Sequence, residues 1–273
     1  MNIQSQKPSK ILFETLILLL VSLMFSANTF AYEKAKVPES IAEGASQLVQ
    51  IKARADDDFL LFADYYKGGK RSGGVIVLHD CKNDRRSYNA IAKSIAEQGL
   101  HTLLVDLRGY GDSISPEYSR EEAKNKSRNI VSYQSEMALI TANWADDLLA
   151  IHQFLARKID KSKGIAVVAS GCSGAYVVSL AEKIHLNSMV LITPEMAYND
   201  KEHYKTLVDI PSYFITSSHH PDSYETSQEL FAWNGDKQSK IQIFKGTYYG
   251  KQLISRQRYL VNDIAFWLKF NLR

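Results

Sequence analysis

The chain has 273 residues, 45% hydrophobic and 23% charged, enough to build one sizeable globular core. Its net charge of +3 is spread along the sequence with no long basic or acidic block. That argues against nucleic acid and against a strongly acidic partner.

Lys7 and Lys10 precede a nearly continuous apolar run from Ile11 to Phe25, and Thr29-Phe30-Ala31 follows with small residues where a signal peptidase reads. The clean run from Leu16 to Phe25 is short for a bilayer span. Residues 1–31 therefore read as a secretory signal peptide cleaved after Ala31, and residues 32–273 as one domain, periplasmic or secreted, where disulfides form. No other segment is long and apolar enough to cross a membrane.

Residues 47–54 and 59–66 mix apolar and polar positions around an Asp-rich turn, as an antiparallel hairpin does. Val75-Ile76-Val77-Leu78 and Thr102-Leu103-Leu104-Val105 are short apolar runs typical of strands buried on both faces. Between them, residues 87–98 have helical spacing and stop at Gly99. Residues 113–133 are polar and charged and read as a solvated loop, with a small cap over a site as the alternative. Helices are expected over 142–157, 175–184, 224–233 and 256–270, and strands over 165–169, 189–193, 213–216 and 241–244. The alternation predicts an α/β fold with a mostly parallel sheet covered on both faces by helices. No Gly-x-Gly-x-x-Gly follows a strand, so no dinucleotide cofactor is indicated.

The segment Val75-Ile-Val-Leu-His79-Asp80, followed by Asp106-Leu-Arg-Gly-Tyr-Gly-Asp-Ser113, resembles the α/β-hydrolase family, most closely its dienelactone-hydrolase-like and serine-peptidase-like members. The order of elements matches from residue 47 to the C-terminus. The resemblance implies a nucleophile on a sharp strand-to-helix turn flanked by small residues. Two registers of Ser170-Gly-Cys-Ser-Gly-Ala175 fit, one with Cys172 at the tip and one with Ser173 there. A third, set by strand length alone, puts Gly171 at the tip and leaves no nucleophile. Cys172 is favoured because both flanking small residues and Ala175 fall into place.

By the same resemblance the acid position after the strand Pro211–Thr216 falls on His220, with Asp222 two residues late, and the histidine position falls on Tyr249. Tyrosine titrates near ~10 in model peptides, far from a neutral-pH base. A Cys172–His220 dyad is the form an active variant would take. The oxyanion hole implied by the resemblance uses the amides of Cys81 and Ser173. The family's fold also brings the loops of Cys81 and Cys172 face to face, which implies a Cys81–Cys172 disulfide in an oxidising compartment. A metal site from Cys81, Cys172, His79 and His220 matches no zinc signature. The expected function is a secreted pseudo-hydrolase that binds a small-molecule ligand or a partner. The alternative is a hydrolase of carboxylic ester or thioester bonds using Cys172 or Ser173.

Overall fold

A computed structural model describes residues 46–53, 58–160 and 162–272. The expected signal peptide, residues 1–31, lies outside the described residues. One eight-stranded sheet organises the rest. Its strands are β1 (Gln47–Lys52), β2 (Leu60–Tyr66), β3 (Gly74–Leu78), β4 (His101–Val105), β5 (Ile165–Ser170), β6 (Ser188–Ile192), β7 (Ser212–Ser217) and β8 (Lys240–Phe244). They lie in the order β1-β2-β4-β3-β5-β6-β7-β8. β1 and β2 form the expected antiparallel hairpin, with Val49 opposite Ala63, and β2 pairs antiparallel with β4. All the other pairings are parallel.

Every residue of β3, β4, β5, β6 and β7 is buried, which is why these strands read as unbroken apolar or small-residue runs rather than as alternating ones. Period-two geometry still sorts their side chains between two cores. Ile76 and Leu78 join Trp144 and Leu148 of α4 (Trp144–Ala156) and Val177 of α5 (Ser173–Lys183). Val75 and Val77 join Ile91 and Ile95 of α1 (Asn89–Glu97) and Ile264 and Leu268 of α9 (Arg258–Asn271).

Residues 113–133 differ from the solvated loop expected. They carry α2 (Arg120–Lys126) and the start of α3 (Ile130–Thr141). Ser119 caps α2, accepting from the Glu122 amide at 3.3 Å, with Glu121 and Glu122 in its first turn and Lys124 and Lys126 in its last. Asn129 and Ser132 close a capping box on α3. These ends stabilise helices through backbone bonds and the macrodipole, which leave no apolar period to read. Only Ile140 of α3 is buried, while Ile130, Val131 and Leu139 are exposed. The short helices α6 (Tyr198–Tyr204) and α8 (Lys251–Arg256) were likewise not expected, and α7 (Pro221–Trp233) starts at its proline. Among the described residues, no helix is long and apolar enough to cross a membrane.

The segment Asp106–Ser113 turns out to be scaffolding. Asp106 accepts from the amides of Arg85 (2.8 Å) and Asp112 (2.9 Å) and pairs with the Arg85 guanidinium. Arg85 also reaches Asp64 and Asp112, so one side chain ties the loops after β3 and β4 to β2. Gly111 has φ +53°, and a Cβ there would overlap the Asp106 carboxylate. Ser113 Oγ accepts from the Phe62 amide and donates to the Asp106 carbonyl, each at 2.8 Å.

Candidate functional site

The parallel strands deliver their loops to one end of the sheet, where open α/β sheets build their sites. His79–Cys81 follows β3, Gly171 follows β5, Thr193–Glu195 follows β6, Ser218–His220 follows β7 and Gly246–Gly250 follows β8. The last ladder pair between β5 and β6 is Ser170 with Ile192, and the Gly171 amide still donates to the Ile192 carbonyl at 2.9 Å. The chain then reverses at Gly171, with φ +56°. Cys172 already has helical dihedrals, φ −61° and ψ −25°.

The sharp turn therefore has Gly171 at its tip. The favoured register, with Cys172 there, is corrected by the strand ladder, which runs to Ser170 and leaves one residue for the reversal. The Ser173 register falls for the same reason. Ser173 Oγ donates to the Ser170 carbonyl at 2.9 Å and accepts from the Ser170 amide at 3.0 Å, so the buried hydroxyl closes the turn. The amide following the tip belongs to Cys172, not to Ser173 as the expected oxyanion pair required.

A Cβ on Gly171 would fall on the hydroxyl of Tyr249. That phenol, 8% exposed, donates to Glu195 Oε2 at 2.9 Å. His220 stacks on its ring, with centroids 5.0 Å apart and planes at 27°, and Lys82 Nζ lies 4.3 Å from the ring centroid. Burial pushes the Tyr249 phenol far above its ordinary range, and the Glu195 carboxylate adds to this, while the Cys172 amide acts in the opposite direction. Tyr249 is thus a neutral donor at physiological pH and not a base. His220 Nδ1 lies 3.0 Å from Ser223 Oγ, and its Nε2 is 3.9 Å from Glu195 Oε1. The structure brings His220 and Tyr249 together around Glu195, a residue the sequence reading missed. Its position directly after the Pro194 that stops β6 was the available signal.

Beneath the tip, Asp80 is completely buried. Its Oδ2 accepts from the Tyr88 hydroxyl at 2.5 Å, and its Oδ1 accepts from the Lys82 amide at 2.7 Å and from Asn83 Nδ2 at 2.8 Å. The Tyr88 hydroxyl also lies 2.8 Å from Ser170 Oγ. This network occupies the floor that the two facing loops share.

Those loops are covalently joined. Cys81 and Cys172 form a disulfide with Cα atoms 5.9 Å apart, closing a sequence separation of 91. Cross-linking so long a segment removes chain entropy from the unfolded state, worth about 2–4 kcal/mol. For a domain of this size the Cys81→Ala/Cys172→Ala protein is therefore expected to melt roughly 5–15 °C below the parent by circular dichroism. An unchanged midpoint would show that the bond contributes no stability.

His79 is buried with its tautomer set by backbone partners. Nδ1 donates to the Asp80 carbonyl at 2.8 Å, and Nε2 accepts from the Leu107 amide at 3.1 Å. Burial lowers its pKa, outweighing the Asp80 carbonyl and the nearby carboxylates. The folded state thus holds His79 neutral, while the unfolded state protonates below about 6.5. Its contribution is present above that pH and is lost as pH falls further. His101 and His152 are lowered by burial too. Denaturant unfolding is expected to show stability declining from pH 6.5 to 5, less steeply in His79→Gln. The same slope in that variant would remove His79 from the account.

No family model and no curated protein matches the sequence. Solved structures do match. A dienelactone hydrolase from Anabaena variabilis is 13% identical, over 84% of this chain and 99% of that one, with a TM-score of 0.61. The Pyrococcus furiosus esterase Pf2001 is 14% identical, over 86% of this chain and 94% of that one, with a TM-score of 0.64. The fold is that of the α/β-hydrolases. A third α/β-hydrolase-type match, DcsB in complex with its substrate analogue, is 13% identical over 84% of this chain and 99% of that one, with a TM-score of 0.63. At these identities the likeness carries the fold, and the chemistry of this α/β-hydrolase-fold chain rests on its own residues.

Proposed function

We propose that the protein is a pseudo-hydrolase, which uses an α/β-hydrolase fold to bind a small ligand or a partner without turning over esters. The observation that carries the reading is Gly171 at the tip of the turn after β5, with the Tyr249 hydroxyl where a nucleophile's side chain would project. In hydrolases of this fold that tip holds the nucleophile, and the acid and histidine follow it in chain order. The corresponding positions here are Gly171, which has no side chain to act as a nucleophile, His220 at the acid position, where it contacts Ser223 and Glu195, and Tyr249, a phenol where the imidazole base would stand. The disulfide adds support, since it ties together the two loops that would offer oxyanion amides.

An ester or thioester hydrolase using Cys172 or Ser173 would first have to open that disulfide or break the hydroxyl's two bonds to Ser170. Export to the periplasm or the exterior belongs to the same reading. A disulfide between the chain's two cysteines is in keeping with it, because such bonds persist in oxidising compartments.

The test is hydrolysis of p-nitrophenyl butyrate by the purified protein, with and without reductant, beside Cys172→Ala and Ser173→Ala. Rates equal to buffer in all samples are expected. Turnover that one substitution abolishes would overturn the reading and name the nucleophile.

A further inference from the structure

We infer that the cleft between the loops after β3 and β4 binds a small organic anion, a carboxylate or a phosphate-type group, gripped between Arg120 and Lys82. The inference rests on the binding reading above and gives its ligand class. The cleft has a volume of about 330 Å³, within the range of small-molecule sites, and its wall includes Lys82, Asn83, Ser87, Tyr110, Ile114 and Arg120. It lies beside the filled turn, with Lys82 belonging to both.

The charge arrangement of this cleft is what points to an anion. Arg85 and Arg86, on the same loop, are matched by carboxylates of Asp64, Asp84, Asp106 and Asp112. Arg120 and Lys82 have no ion pair among the described residues. The Arg120 Nε is buried and has no hydrogen-bond partner among them either. A guanidinium N–H withdrawn from water without an acceptor is costly, and an anionic oxygen is the acceptor that best offsets the cost. Each cation instead rests on an aromatic face: the Arg120 guanidinium is 5.7 Å from the Tyr110 ring centroid, and Lys82 Nζ is 4.3 Å from that of Tyr249.

The scaffold holds this pair in place. The Arg120 amide donates to the Gly109 carbonyl at 2.9 Å, and the Tyr110 hydroxyl donates to the Cys81 carbonyl at 3.2 Å. Lys251 adds a third cation, its Nζ donating to Ser87 Oγ at 3.3 Å. Two carboxylates also line the cleft. Asp84 is committed to Arg86, accepting from its amide at 3.0 Å and pairing with its guanidinium at 3.4 Å, and Glu121 is exposed to solvent. Tyr110 and the exposed Ile114 give the wall an apolar part, so the favoured ligand carries a short apolar body behind its charged head. The planar fork of arginine suits carboxylate and phosphate oxygens alike.

Isothermal titration of the disulfide-intact protein with phenylacetate and with phenylphosphonate tests the inference and separates the two head groups. Benzyl alcohol serves as the neutral control. Saturable 1:1 binding of at least one anion is expected, with no binding of the alcohol. Arg120→Gln should weaken it tenfold or more, Arg120→Lys should retain part of it, and Lys82→Gln should weaken it several-fold, all with parental circular dichroism. Absence of saturable binding by either anion would overturn the inference, as would undiminished affinity in Arg120→Gln or equal binding of benzyl alcohol. Neither probe is an ester, so the titration is independent of turnover. Ester hydrolysis with intact anion binding would sink the pseudo-hydrolase reading alone, and silence in both assays would sink the anion site alone.

Discussion

Gly171→Ser is expected to lower stability by about 2–5 kcal/mol in the parent, and by clearly less when Tyr249 is already Ala. Two costs combine at this position. A serine held at the φ of +56° recorded for Gly171 bears left-handed strain of about 1–2 kcal/mol, which no change at Tyr249 relieves. Its Cβ also falls on the Tyr249 hydroxyl, and overpacking of this kind costs typically about 1–3 kcal/mol. Only the second cost disappears with the phenol, so a double-mutant cycle followed by denaturant unfolding isolates it. Tyr249→Phe should give little relief, because the ring carbon bearing the hydroxyl also lies within overlap distance of the new Cβ. Equal cost of the serine in the Tyr and Ala backgrounds would mean that Tyr249 does not fill the nucleophile's place. The cycle also has a functional edge. Exchanging Tyr249 for histidine and His220 for aspartate leaves glycine at the tip, so restoring a triad requires Gly171→Ser as a third change.

Asp147→Ala is expected to cost about 3–5 kcal/mol, through the buried charge it leaves behind. Arg108 and Asp147 are both fully buried, and the guanidinium engages the carboxylate with two bonds, Nε to Oδ2 at 3.0 Å and Nη2 to Oδ1 at 2.8 Å. The guanidinium also lies 4.1 Å from the Phe59 ring centroid and 4.8 Å from that of Tyr118. The Arg108 carbonyl accepts from Trp144 Nε1 at 3.1 Å, so the pair clamps α4 to the loop after β4. Removing the carboxylate strands the cation where water cannot solvate it. Replacing both partners, as in Arg108→Met/Asp147→Leu, should recover much of the loss, because an apolar pair carries no desolvation penalty. Urea unfolding of the three variants measures this. A double variant no better than Asp147→Ala would show that the ion pair contributes more than its own desolvation costs.

The sequence alone determined the layered α/β fold and its hairpin. Strands buried on both faces need apolar or small residues at every position, and Val75–Leu78 and Ile165–Ala169 satisfy that without reference to any neighbour. The helices α1, α4 and α9 showed their apolar stripes for the same local reason. The Asp106–Ser113 turn carried the family resemblance because its aspartates, arginine and glycine each answer a specific steric or electrostatic demand. Helices held by their ends, α2 by a cap and end charges and α3 by a capping box, leave no such stripe, and so residues 113–133 read as a loop.

The site itself was decided by tertiary structure. Ser170-Gly-Cys-Ser-Gly-Ala175 suits several registers locally, since small residues flank every candidate tip. What selects Gly171 is the point where the ladder between β5 and β6 ends, at Ser170 and Ile192, a contact between segments distant in sequence. The meeting of Tyr249, Glu195 and His220 likewise depends on three loops from three strands. That Arg120 has no ion pair among the described residues is a fact of the same kind, because a sequence names its cations but only packing decides which of them meet a carboxylate. Local patterns fix what a segment must bury, and the pairing of distant segments fixes which atoms remain to do chemistry.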